Sequence, residues 1–277
     1  MRLALAVQTP DVSLSLPVAL LSGTWSEKVD KAAQLGVDGL ELMTADPGRL
    51  DASEIRGTLE ARGLSVVAIG SGAAAMQAGL TLLHVDEAVA ARAVARLDEL
   101  IDFAAAVGAQ LVTIGSFRGK LAWVGAGGHL HLADILRRAA DRAAAAGIRL
   151  ALEPLNRYEA DLINTAEQGL EFVEEVGHPA LGLLLDTYHA NIEEASWETP
   201  FRSLMQAGRL WHVHLGDNNR LPPGRGMIDF CALLRLLRAL GYDGALSAEL
   251  LAIPDPDTAA RQTVEYMRPL LEAAGCA

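Results

Sequence analysis

Eight short runs of β-branched and leucine-rich residues recur along the chain, and each is followed by a longer helical pattern. The runs are Leu3–Val7, Gly39–Leu42, Ser65–Ile69, Leu111–Ile114, Arg149–Glu153, Leu181–Asp186, Leu210–Leu215 and Ala245–Leu250. The helices between them have recognisable ends. Thr24 with Glu27 can form a capping box, and Thr165 with Gln168 resembles one. Gly36, Gly108, Gly147 and Gly177 follow helical stretches where a C-terminal glycine belongs. Ala90, Val94, Leu97, Ile101 and Ala104 keep the period of a helix packed on a sheet. Eight strand-then-helix units without a linker predict an α/β chain closed into a single-domain (β/α)8 barrel over residues 1–277. An open doubly wound sheet would carry Gly-x-Gly-x-x-Gly after its first strand, and none follows here. The glycine-rich stretch GSGAAAMQAG at 70–79 has neither that spacing nor a P-loop lysine.

Composition narrows the function. Hydrophobic residues make up 51% of the chain, enough for a large core. The formal net charge of −12, with no Lys/Arg block, disfavours nucleic acid as a partner. Cys231 and Cys276 are too few and too far apart for a disulfide framework, and read as a core thiol and a tail thiol. The apolar run before Gln8 is shorter than a signal-peptide core, and no segment approaches the ~20 apolar residues of a membrane span. A cytoplasmic protein with no membrane partner is expected.

In a barrel of this kind chemistry gathers at the C-terminal ends of the strands. The last four runs end, or nearly end, in Glu153, Asp186, His214 and Glu249, spaced by 33, 28 and 35 residues. Each gap is about one βα unit, so the four side chains stand at one level on adjacent strands. Three converging carboxylates alone would repel one another. With an imidazole they suit one divalent cation, which would offset the desolvation of Glu153 at the end of the apolar Leu150-Ala151-Leu152. His212 and His214 alternate onto one face, with His212 a layer deeper as a hydrogen-bonded core histidine.

The segments LEPLNRYEADLINT, LLDTYHANIEEAS, HVHLGDNNRLPPGRG and LSAELL resemble, in order, motifs of the ketose 3-epimerases, the tagatose and psicose epimerases of the xylose isomerase-like TIM barrels. VAIGSGAA, IGSFRG and EPLNRYE bring the resemblance closer to the bacterial 5-keto-L-gluconate epimerases. It spans essentially the whole chain. It implies that Glu153, Asp186, His214 and Glu249 hold one ion, with manganese first, magnesium or cobalt as alternatives and zinc as a further occupant. It also implies that Glu153 and Glu249 exchange the proton, and that Glu159, His189 and Arg220 hold substrate oxygens. His84 matches a histidine of the same relatives. A homo-oligomer, dimer or tetramer, is implied as well. The sequence departs from the family where Glu249-Leu250-Leu251 replaces the common Glu-Pro-Phe, and where Asp217 stands in Gly216-Asp217-Asn218-Asn219-Arg220. The aromatic N-terminal motif of the psicose enzymes is missing.

The expected reaction inverts the carbon beside the ketone of a keto sugar acid or ketose, 5-keto-L-gluconate-like or tagatose/psicose-like, removing a proton from one face and returning one to the other through a cis-enediolate stabilised by the ion. Arg220 and Arg225 fall in NNRLPPGRG after the seventh strand and Arg118 in GSFRGK after the fourth. Arginines at the mouth of an acidic chain point to a sugar acid or sugar phosphate substrate. Gly70, Ser71 and Gly72 are placed to offer backbone donors there, and Trp123 to belong to a lid. His129, His131 and His178 read as solvated. Two other readings are an aldose–ketose isomerase of a sugar or sugar phosphate and a sugar-binding barrel without catalysis. A three-zinc nuclease of the same superfamily needs more ligands and a basic groove.

Overall fold

The computed structural model describes residues 1–273, so the tail thiol Cys276 lies outside the described residues. Among the described residues eight parallel strands close a barrel in chain order. They are β1 (Arg2–Gln8), β2 (Gly39–Met43), β3 (Ser65–Gly70), β4 (Leu111–Ile114), β5 (Arg149–Leu152), β6 (Leu181–Asp186), β7 (Leu210–Leu215) and β8 (Ala245–Ala248). The expected strands recur with small changes at their ends. The fifth stops at Leu152 and the eighth at Ala248, so Glu153 and Glu249 stand just past the sheet rather than within it.

The surrounding helices are α1 (Trp25–Leu35), α2 (Ala52–Glu60), α3 (Gly72–Ala78), α4 (Glu87–Val107), α5 (Gly128–Ala145), α6 (Ala166–Val176), α7 (Thr187–Glu193), α8 (Glu198–Gln206), α9 (Phe230–Ala239) and α10 (Pro256–Glu272). Thr24 and Glu27 form the full capping box of α1. Thr165 accepts from the amide of Gln168, whose side chain caps Asn164 instead, which is half of a box. Gly36, Gly108, Gly147 and Gly177 all have the positive φ of a helix-ending residue. On α4 the apolar stripe runs through Ala93, Leu97, Leu100, Ile101 and Ala104, with Ala90 and Val94 half-buried at its edge. Cys231 is half-buried on α9. No helix among the described residues is long and apolar enough to cross a membrane.

Alternation along each strand sorts the side chains. Leu3, Leu5 and Val7 of β1, Leu150 and Leu152 of β5, and Leu181, Leu183 and Leu185 of β6 face outward into the core shared with the helices. Their neighbours face the barrel axis and are small: Ala4, Ala68, Ala151 and Ala245 pack there with Leu111, Leu184 and Trp211. A register shift between β6 and β7 leaves Trp211 as the extra residue, with Leu183 opposite Leu210 and Leu184 opposite His212. Its indole packs on Gly182, where a Cβ would come within 2.6 Å of the ring. Apolar packing thus fills the N-terminal half of the barrel, and polar side chains fill the C-terminal half.

Candidate active site

Asp186 ends β6 and pairs in register with His214 of β7. Glu153 follows β5, anchored by its amide to the Ile114 carbonyl at 3.0 Å, and Glu249 follows β8. Alternation turns all four side chains inward. One ligand atom from each lies within 4.8 Å of the others. His214 Nδ1 stands 3.5 Å from Glu153 Oε1 and 3.6 Å from Glu249 Oε2. Glu153 Oε1, Asp186 Oδ2 and His214 Nδ1 are buried without a hydrogen-bond partner. Orphaned buried polar atoms are rare, because each forfeits its water without compensation. Three of them turned to one point, all of hard oxygen or imidazole type, fit a divalent cation.

The electrostatics agree with a site short of positive charge. Burial pushes the Glu249 carboxyl up to about 7, with Glu153 and Asp186 adding to the effect. Burial also raises Asp186. Glu153 feels the same burial, but the imidazoles of His214 and His189 and the Arg220 guanidinium outweigh it and hold the carboxyl below its ordinary value. His214 goes the other way: burial opposes its protonation, yet Glu41, Glu249 and Glu153 lift it well above the usual imidazole range.

A hydrogen-bonded frame surrounds these four. Asn156, fully buried, donates its backbone N–H to His189 Nδ1 at 3.3 Å and its side-chain amide to Glu159 Oε1 at 3.2 Å. His189 accepts at Nδ1, so its proton is on Nε2, which lies 4.0 Å from both Glu153 Oε1 and Asp186 Oδ2. Arg220 reaches in from the β7–α9 loop, 3.0 Å from Glu159 Oε1 and 3.6 Å from Glu249 Oε2, with its guanidinium 5.0 Å above the Tyr188 ring. Its backbone has the positive φ of 61°, unusual for a side chain of this size. The loop makes up for it through Asp217. That carboxylate accepts from the amides of Asn218 and Ile228 at one oxygen and of Gly224 and Gly226 at the other.

The cleft above the cluster has a volume of about 230 Å³, and its lining includes Glu153, Glu159, His214, Arg220 and Glu249 together with Gly72 and the apolar Pro17, Val18, Met76 and Leu155. Arg118 does not reach the cleft, contrary to the sequence expectation. Its guanidinium is fully buried and donates to the carbonyls of Glu153 at 2.5 Å, Leu162 at 2.8 Å and Ile163 at 3.1 Å. Burial brings it down to about 10. Arg118 ties the β5–α6 loop to the β4 loop. His84 is a second correction: it lies edge-on to Trp123, 6.1 Å between rings, in a separate cleft between α4 and α5. Arg225 is exposed on its loop.

Sequence reasoning missed three residues. Glu41, inward on β2, accepts from both His212 and His214. A lone carboxylate inside the apolar run GLELM was the available signal. Asn156 was visible only as part of a polar run. At Gly115 a Cβ would stand 2.3 Å from Glu153 Oε2, a constraint that no local pattern announces.

The sequence profile of the xylose isomerase-like TIM barrels matches residues 29–270. The chain belongs to that family. Within this family it sits among carbohydrate epimerases, and it is an isomerase of that kind. It is 32% identical to the ketose 3-epimerase of Arthrobacter globiformis over 80% of this chain and 75% of that one. It is 35% identical to the L-ribulose 3-epimerase of Mesorhizobium japonicum over 78% and 72%. The family member D-allulose 3-epimerase from Methylomonas sp., solved in complex with D-allulose, superposes with a TM-score of 0.78 over 97% of both chains at 25% identity.

Proposed function

We propose that the chain is a divalent-metal-dependent epimerase that inverts the carbon beside the ketone of a free ketose or keto sugar, with Glu153 and Glu249 as the proton-exchanging pair. The observation that carries this reading is the placement of those two carboxylates. They follow different strands, β5 and β8, stand 3.5 and 3.6 Å from His214 Nδ1, and both line the same cleft. Inversion needs a base on one face and an acid on the other, whereas a one-face aldose–ketose shift does not.

Glu153, Asp186, His214 and Glu249 would hold the ion, with manganese the first choice and magnesium or cobalt close behind on their hard donors. Such an ion supplies Lewis-acid stabilisation of charge developing on substrate oxygen. The chain's own groups do the rest. His189 offers its Nε2–H to a substrate oxygen, fixed by Asn156. Arg220 and Glu159 bracket the mouth of the cleft, and the Pro17, Val18 and Leu155 wall excludes water. Arg220 is the one Lys or Arg lining this cleft among the described residues, and Glu159 and Glu249 already balance it. Of the keto sugar acid and ketose that the sequence left open, that charge pattern favours the uncharged ketose over the anionic substrate suggested by three mouth arginines. The names of the ketose and L-ribulose 3-epimerase relatives support the same class.

The test is a panel of ketoses, keto acids and ketose phosphates incubated in heavy water with Mn2+ or chelator. Deuterium should enter the carbon beside the ketone of a neutral ketose as its epimer forms, with no aldose produced. Appearance of an aldose, or turnover unchanged in Glu153→Gln, would overturn the proposal.

A further inference from the structure

Beneath the four-residue cluster lies a second polar layer, of which the sequence had placed only His212, as a hydrogen-bonded core histidine. Glu41 of β2 extends across the barrel axis toward β7. Its register partners on either side are Ala6 and Ala68, so nothing bulky on the adjacent strands obstructs the carboxylate. Oε2 is 2.9 Å from His212 Nε2 and 3.0 Å from His214 Nε2. Oε1 is 3.2 Å from His214 Nε2 and accepts from Thr113 at 3.1 Å. Glu41, His212 and His214 are all buried. The three could be grouped as an ion site of their own, but their facing atoms are already matched as donors and acceptor. The layer is complete without a cation.

What the layer leaves over is the other nitrogen of His214. An ionised carboxylate only accepts, so both histidines must present Nε2–H to it. In the neutral ring that an ion would require, the Nδ1 of His214 then carries the lone pair; that atom is buried without a partner and faces Glu153 and Glu249. We propose that Glu41 is a positioning residue for the metal centre, setting the tautomer and ring orientation of His214 so that Nδ1 is the ligand atom. This rests on the metal-centre reading above. A carboxylate behind a ligating imidazole raises its basicity and fixes its direction, and losing such a partner weakens metal affinity by about 10–100-fold.

Glu41→Gln keeps the size but replaces one oxygen by an amide NH2. One of the two histidines then faces a donor, and a His214 that accepts at Nε2 carries its proton on Nδ1, where the ion belongs. Calorimetric titration of the chelator-treated full chain with Mn2+, in the absence of substrate, should show one site in the wild type and a dissociation constant about 10–100-fold larger in Glu41→Gln. Equal affinity in the two would overturn the inference while leaving the metal centre standing. No Mn2+ binding by the wild type would remove the centre and the inference together. A measurement on the wild type needs no variant to fold: nitrogen-15 histidine spectra of the Mg2+-loaded protein should show His214 protonated at Nε2 and bare at Nδ1. A proton on Nδ1 there would refute the assignment.

Discussion

The carboxylate of Glu153 occupies the space that a side chain on Gly115 would need. A Cβ built at Gly115 stands 2.3 Å from Glu153 Oε2 and 3.5 Å from its Cδ. The two residues sit side by side because the Glu153 amide bonds to the carbonyl just before Gly115. Gly115→Ala should therefore shift the Glu153 carboxylate by a fraction of an ångström to an ångström while the barrel still folds. Misplacement on that scale costs on the order of 10²-fold in rate. Steady-state kinetics beside a thermal melt check this; a variant with wild-type kcat would show that the carboxylate can give way freely.

Removing the ion should loosen the protein as well as stop it. Ligand held at about 100 times its dissociation constant stabilises the folded state by about 2.7 kcal/mol. For a chain of this size that is a fall of roughly 5 °C in melting temperature on chelation. Scanning fluorimetry with EDTA, then with Mn2+ added back, measures it. A melting temperature indifferent to both would contradict the cation reading of Glu153, Asp186, His214 and Glu249.

Arg118→Met should cost stability and spare substrate affinity. The substitution leaves the carbonyls of Glu153, Leu162 and Ile163 without their donor. Loss of hydrogen bonds to a charged group in a buried setting is worth on the order of 3 kcal/mol, and a drop of roughly 5 °C follows. KM measured well below the transition should stay near the wild-type value. A raised KM with an unchanged melt would return Arg118 to the substrate.

His84→Ala should change neither kcat nor KM, because His84 and Trp123 line a cleft apart from the one above His214. Loss of activity in this variant would show that the α4–α5 cleft communicates with the site.

The barrel and its four convergent ligand-type residues were legible because both follow from periodicity. Two-residue alternation decides which face Glu153, Asp186, His214 and Glu249 take, and unit length decides their level. What stayed hidden depends on distances across the axis rather than along the chain. Glu41 and His214 are separated by 173 residues yet lie 3.0 Å apart. The arginines illustrate the same limit. Arg118 and Arg220 both follow strand ends, but only the structure shows one turned into backbone carbonyls and the other into the cleft. The expected strand ends at Glu153 and Leu250 overran because a charged or apolar residue just past a short strand carries no stop signal.

Asp217 gathers four main-chain N–H groups and asks nothing of the side chains that accompany them. The path of the segment from Asn218 to Ile228 is therefore written in the backbone, and its two glycines are sterically committed: a Cβ would lie 2.5 Å from the Tyr266 ring at Gly224, whose φ is +83°, and 2.3 Å from Asp217 Oδ1 at Gly226. Residues such as Leu221 and Arg225 are free to diverge without moving Arg220. Randomised libraries aimed at new sugars can exploit that freedom, provided they leave Asp217, Gly224 and Gly226 untouched.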